Sequence, residues 1–171
     1  MSEEIRARAN RLVSRAGTRN PFRLARLLDV EVLKRADLKQ QKGAFFVVLD
    51  QAFIVINSEL DEKTQSLVCA HELGHAVLHK QIAARGALCE YDLFNMATDI
   101  EYEANEFASE ILIDTDEMLE LLRRGTDVYS CARALRTNVN LLLVKLAGMK
   151  LNAELPFVPK KDFMANIEGR E

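Results

Sequence analysis

The stretch HELGH, residues 71–75, decides how the rest of the chain is interpreted. It lies within residues 61–79, whose pattern predicts a helix. Residues four apart lie on one face of a helix, so the imidazoles of His71 and His75 can point at a single ion. Glu72 can approach a water held by that ion and act as a general base. The spacing therefore predicts a metal site, and zinc is the metal that explains it.

A chance occurrence of this short pattern in an ordinary helix is the alternative. The chain has three histidines, however, and two of them are in the motif. Gly74 is expected to leave space beside the metal. A second helical segment, residues 99–113, is acidic and can supply a further ligand. These features together favour the metal site.

The third ligand is sought in that acidic segment, because catalytic zinc takes three protein ligands and keeps one position open for water. Glu101 and Asn105 are four apart and share a face, so Glu101 can bind zinc while Asn105 orients a ligating histidine. Glu103 points elsewhere on the helix and is the alternative ligand. Glu106 and Glu110 are expected on a solvated face.

The motifs resemble those of the ImmA/IrrE family of metallopeptidases. The resemblance is carried by HELGHAVLH (residues 71–79), EYEANEFASEIL (101–112), FIVIN (53–57) and the Asn-Pro-Phe helix start at 20–22. It departs from the family at residues 111–114, Ile-Leu-Ile-Asp, where a proline often follows the leucine pair. That difference affects how the helix ends and touches no expected ligand.

The resemblance implies a minimal zincin-like fold in which His71, His75 and Glu101 bind Zn2+ and Glu72 is catalytic. It also implies a protein substrate, since members of the family typically cleave helix-turn-helix, DNA-binding repressors. The resulting hypothesis is a zinc-dependent endopeptidase that cuts a specific regulatory protein. The competing hypothesis is a regulatory binding module, of antirepressor or toxin-antitoxin type, whose zinc is not catalytic.

The remaining elements predict an α+β fold that is mostly helical. Helices are expected at residues 3–16 and from Asn20-Pro21, where Asn is the N-cap and Pro the first helical residue. Short strands are expected at 30–33, 43–49 and 52–56, the last two as a hairpin of open turn type, so that the sheet is small and mainly antiparallel. The outermost of these hairpin strands could offer an edge to an extended peptide. Residues 81–98 are expected to be irregular, and the tail from Leu151 extended.

Residues 1–125 are predicted to form the zincin-like domain, and residues 126–171 a helical appendage and tail packed on it. Within the appendage, residues 127–149 resemble a helix-turn-helix with basic side chains that include Arg133, Arg136 and Lys145. The second helix is mostly leucine and valine and has few side chains suited to reading bases. Packing on the core is therefore favoured over DNA binding.

Composition limits the class of protein. The chain has 171 residues, of which 49% are hydrophobic, so it can bury a core. Its net charge of −3 argues against general nucleic-acid binding. The charged N-terminus lacks the apolar run of a signal peptide, no segment is apolar enough for a membrane span, and three cysteines without a CxxC pair suggest reduced thiols. A cytoplasmic location is therefore expected.

His79 has two interpretations. It lies four residues past His75 and could line the cleft or stabilise a developing oxyanion. It could instead be a partly buried histidine at the negative end of the helix dipole, and this second interpretation is favoured.

Overall fold

The computed structural model describes residues 2–83, 86–90 and 98–149, and within these the chain forms an α+β fold of eight helices and four short strands. In chain order the elements are α1 (Ser2–Ala16), α2 (Pro21–Leu27), β1 (Val30–Arg35), β2 (Gly43–Val48), β3 (Gln51–Asn57), α3 (Glu62–Leu78), α4 (Lys80–Ala83), β4 (Leu88–Glu90), α5 (Asp99–Leu112), α6 (Thr115–Arg123), α7 (Val128–Ala134) and α8 (Val139–Gly148). The predicted tail from Leu151 lies outside the described residues.

The sheet has the strand order β1-β3-β2-β4. β2 pairs antiparallel with both β3 and β4, and β1 pairs parallel with β3. The prediction of a small, mainly antiparallel sheet with a hairpin is therefore confirmed. Both hairpin strands lie inside the sheet, so the expectation that one of them is outermost is wrong. Residues 81–98 were expected to be irregular, yet they include β4, which forms one edge.

The hairpin turn consists of Leu49 and Asp50, whose φ angles are 49° and 65°. Two positive φ values at the central positions of a two-residue loop are the signature of a type I′ turn, which normally prefers Asn or Gly. Leu49 is 97% exposed. Nothing in the local sequence indicates this turn type, because the sequence lacks the glycine that usually marks it.

Helix α3 runs through the middle of the molecule. It packs against β2 and β3 on one side and against α5 on the other. The residues from Leu67 to His75 are all buried. Asp61 caps the helix, since its side chain accepts from the Thr64 backbone N–H.

Asn57 connects neighbouring backbone segments at the end of β3. Its side-chain amide donates to the carbonyl oxygens of Lys39 and Gln41, and its side-chain oxygen accepts from the Glu59 backbone N–H. It thereby ties the loop before β2 to the turn that precedes α3. A buried amide with several backbone partners is a structural connector, and this one fixes the strand that passes beside the HELGH segment.

The prediction that Glu106 and Glu110 lie on a solvated face is wrong. Both are buried, and Glu110 accepts from Lys145 at 2.7 Å and from Arg6 at 3.3 Å. The cations come from α8 and α1, so they are distant in sequence and invisible to a local reading of α5. Burial lowers the pKa of Lys145, and the adjacent Glu110 carboxylate opposes that shift.

Helix α8 packs on α5 through fully buried apolar residues that include Leu142 and Leu146. Lys145, one of the basic residues considered for DNA contact, is turned into the interior, where it meets Glu110. These contacts agree with the packing interpretation of residues 127–149. Among the described residues, none of the helices combines the length and apolar character needed to cross a bilayer.

Candidate metal centre

His71, His75 and Glu101 form a compact cluster between α3 and α5. Nε2 of His71 lies 3.1 Å from Nε2 of His75 and 3.1 Å from Oε2 of Glu101, and Nε2 of His75 lies 3.6 Å from Oε1 of Glu101. Ligand atoms about 2.0–2.1 Å from a tetrahedral ion would be roughly 3.3–3.4 Å apart. The three separations bracket that value, so the donors fit one zinc-sized ion.

A hydrogen bond to Asn105 fixes the tautomer of His71. Its Nδ1 lies 2.9 Å from Oδ1 of Asn105, and an amide oxygen can only accept. The ring proton is therefore on Nδ1, and Nε2 turns a lone pair toward His75 and Glu101. The two imidazole rings are nearly perpendicular, at 85°, so both can direct nitrogens at the same point.

The ionisation states also suit a cation. Burial lowers the pKa of His75, which favours the neutral imidazole that a ligand must present. Burial alone would raise the pKa of Glu101, but hydrogen bonds and charge interactions with His71 and His75 outweigh it when the facing nitrogens carry protons, and they lower the pKa to about 2. A bound cation would take the place of those protons. Two neutral imidazoles and one carboxylate are a donor set typical of zinc with an open position.

Glu72 is fully buried and lies next to the first strand residue of the hairpin, Gly43. A Cβ atom at position 43 would come within 3.0 Å of Oε1 of Glu72 and would also strike Val68. Gly43 therefore lets β2 approach the carboxylate closely. This role of Gly43 could not be predicted from the sequence, because its only local signal is a glycine at the start of an apolar strand.

Gly74 does not serve the purpose that the sequence suggested. A Cβ atom there would lie 2.8 Å from the carbonyl oxygen and 2.9 Å from the Cα of Ala104 on α5. The missing side chain permits close packing of α3 on α5. This crossing brings Glu101 to the two histidines, so Gly74 acts on the site through helix packing.

We expect Gly74→Ala to destabilise the protein by about 1–3 kcal/mol, because the added methyl group meets backbone atoms that cannot move independently. The measurement is urea unfolding of the metal-free protein, with Gly86→Ala as the control. No heavy atom lies within 4 Å of a Cβ built at Gly86, so that variant should unfold at the wild-type midpoint. Equal midpoints for all three proteins would contradict the close-packing role.

His79 and Glu103 lie beside the cluster and contact each other. Nδ1 of His79 lies 3.0 Å from Nδ1 of His75, and its Nε2 lies 3.0 Å from Oε2 of Glu103. The structure thus directs Glu101 at the two motif histidines and Glu103 at His79. His79 is 5% exposed and ends α3 as its C-cap, as the favoured interpretation of a helix-end histidine supposed. Nothing in the sequence around His79 predicts its contact with Glu103.

Cys69 and Cys131 are buried free thiols. Burial raises the pKa of Cys69, and the nearby charge of Glu72 adds to that shift. Such a thiol stays protonated and behaves as a core residue. The side chain of Cys89 is not among those described.

Known proteins resemble this chain over its larger part. The profile of the IrrE N-terminal-like domain, a peptidase family, matches residues 26–146. The chain is 36% identical over 109 residues to uncharacterized immunity region protein 2 of Bacillus phage phi105, covering 64% of this chain and 68% of that protein. It is 33% identical over 121 residues to metallopeptidase ImmA of Bacillus subtilis (strain 168), covering 69% of this chain and 68% of that protein.

The matched region contains every residue of the cluster, together with Glu72, Asn105 and His79. The profile covers more than half of the chain, and the resemblance read from residues 71–79 and 101–112 is confirmed. The chain belongs to the IrrE N-terminal-like, or ImmA/IrrE, family of metallopeptidases.

Proposed function

We propose that the chain is a zinc-dependent endopeptidase that cleaves a regulatory protein, and that His71, His75 and Glu101 hold the zinc. The observation that carries the proposal is the cluster of three donor atoms, all within 4.8 Å of one another. Two of them belong to α3, the helix that also bears Glu72, and the third belongs to α5. Among the described residues this is the one such group of three donors, and three ligands leave a tetrahedral ion one open position. An open position suits catalysis better than a closed structural site.

A zinc ion bound there would supply a Lewis acid that polarises the peptide carbonyl and acidifies water. Glu72 would accept the proton of the attacking water and deliver it to the leaving amide nitrogen as the carbon–nitrogen bond breaks. Glu72 is completely buried, so bulk water does not solvate its carboxylate and weaken it as a base. Asn105 holds the ring of His71, so the donors are in place before substrate arrives.

The substrate class is proposed from the relatives. One is named a metallopeptidase and the other an uncharacterized immunity region protein of a phage. We infer that the substrate is a DNA-binding repressor of the helix-turn-helix type. A protein with net charge −3 that acts on a repressor needs no DNA affinity of its own.

The test is cleavage of purified repressors encoded near the gene for this chain. We expect the zinc-loaded protein to cut one of them into two fragments, a chelator to stop the cut, and added zinc to restore it. Elemental analysis of the same preparation should give about one zinc per chain, the content expected of a three-ligand site. The products are read by mass spectrometry, which locates the cleaved bond.

The alternative, a regulatory binding module, predicts a different result. A repressor that forms a stable complex with the zinc-loaded chain and stays intact would favour that function. Absence of zinc from the purified chain, together with failure to bind added zinc, would reject the proposed metal centre.

A further inference from the structure

The strongest feature outside the three-residue cluster is a hydrogen-bonded line from His75 through His79 to Glu103. The two separations in the line are both 3.0 Å. His75 and His79 are 2% and 5% exposed, so water competes little for these bonds. The line begins at a motif histidine on α3 and ends at a carboxylate on α5.

The chemistry of the three groups gives the line one direction. His75 turns Nε2 toward His71 and Glu101, so a metal at that nitrogen requires the ring proton on Nδ1. That N–H then donates to Nδ1 of His79, which must be unprotonated. The proton of His79 is therefore on Nε2, where it donates to the carboxylate of Glu103. Each bond pairs one donor with one acceptor.

We propose, on the basis of the metal site proposed above, that His79 and Glu103 are positioning residues for His75. They fix the tautomer and the ring orientation of His75, and the negative charge of Glu103 increases the basicity of the nitrogen that faces the cluster. Neither residue touches the substrate or the metal. Their effect is carried by the two hydrogen bonds.

The backbone supports this role. His79 is the C-cap of α3, and its N–H donates to the carbonyl oxygen of His75 at 2.8 Å, so the two residues are bonded through both backbone and side chain. Glu101 and Glu103 are two apart on α5 and point in different directions, one to the cluster and the other to His79. One helix thus supplies a candidate ligand and Glu103, which ends the hydrogen-bonded line. We call the line from His75 through His79 to Glu103 the relay.

The two motif histidines are consequently held by different partners. His71 meets a neutral amide oxygen of Asn105, whereas His75 meets a relay that ends in a charge. A charged acceptor strengthens the ligand more than a neutral one does. Loss of the relay should therefore weaken metal binding even though all three donor atoms of the cluster remain.

The experiment measures zinc affinity by competition with a chromophoric chelator. The full chain is used in wild-type form and as His79→Ala, Glu103→Ala and the double variant. We expect His79→Ala to weaken binding by about 10–100-fold, the range typical of residues that support a ligand, and Glu103→Ala by about tenfold. In the His79→Ala background, Glu103→Ala should cause no further loss, because the relay is already broken.

The matched control is Lys80→Ala, which removes an exposed side chain one residue from His79 and should leave zinc affinity unchanged. The melting temperature of each metal-free protein separates positioning from stability, since a purely structural role would lower it without changing affinity. Glu103→Gln keeps an acceptor for His79 and removes the charge. The absorption spectrum of its cobalt form should match wild type, while its zinc affinity stays below wild type.

Equal zinc affinity in wild type and His79→Ala would overturn the inference. An equal loss from Glu103→Ala in both backgrounds would overturn it too, because the two residues would then act separately. If His79→Ala does not fold, wild-type zinc affinity in both Glu103→Ala and Glu103→Gln would overturn the inference. A wild-type chain that binds no zinc would overturn the proposed function, and the relay with it, and that result is distinct from the others.

Discussion

Glu72→Gln is expected to abolish most of the peptidase activity while zinc binding is retained. Glutamine has nearly the same shape as glutamate, so it fits the fully buried position between α3 and β2. It cannot accept a proton from the attacking water or return one to the leaving nitrogen. Loss of general acid–base catalysis typically costs 10²–10⁴ in rate, and we expect a decrease of about that size.

The measurement is the single-turnover rate of cleavage of the identified repressor by zinc-loaded protein. Zinc content and urea unfolding of Glu72→Gln serve as controls, and both should match wild type. Glu72→Asp, which keeps the charge and withdraws it by one methylene, should fall between the two rates. A Glu72→Gln protein that cleaves at the wild-type rate would remove Glu72 from the proposed mechanism.

The sequence predicts the spacing of the candidate ligands within each helix, because that part of the geometry is local. Four-residue spacing on a helix is fixed by the backbone, so His71 with His75, and Glu101 with Asn105, needed no tertiary information. Most helices were recognised for the same reason: a cap such as Asn20 lies beside the segment that it starts. The need for a third zinc ligand added the expectation that the two helices meet, and the family resemblance implied the same.

Contacts between distant segments were not predictable. Glu110 was assigned to solvent because the residues that neutralise it, Arg6 and Lys145, lie 104 and 35 positions away. The role of Gly74 depends on the backbone of α5, and the turn at Leu49 is imposed by the twist of the paired strands. A pattern in one segment cannot report on a partner in another.

At residues 111–114 the sequence lacks the proline that the family often has, and a side chain from a distant segment helps to end helix α5 instead. Without a proline after the leucine pair, α5 ends at Leu112, and Asp114 at once caps α6 by accepting from two backbone N–H groups. Arg19 donates to the carbonyl oxygens of Glu110 and Ile111 and to Asp114. A side chain from the loop before α2 thus satisfies the end of α5.

Glu101→Ala is expected to lose the metal, whereas Glu103→Ala should keep about one zinc per chain at saturating zinc. Glu101 offers the only anionic oxygens among the three clustered donors, and its removal leaves two neutral imidazoles for a divalent ion. Structural zinc sites bind with roughly 10–16 kcal/mol shared among four ligands, so losing one ligand should weaken affinity on the order of a hundredfold to a thousandfold. Glu103 reaches His79 and not the cluster, so its loss should change affinity far less.

Elemental analysis of wild type and both variants, prepared side by side, measures the difference. Zinc retained by Glu101→Ala and lost by Glu103→Ala would exchange the two roles and would also reject the relay.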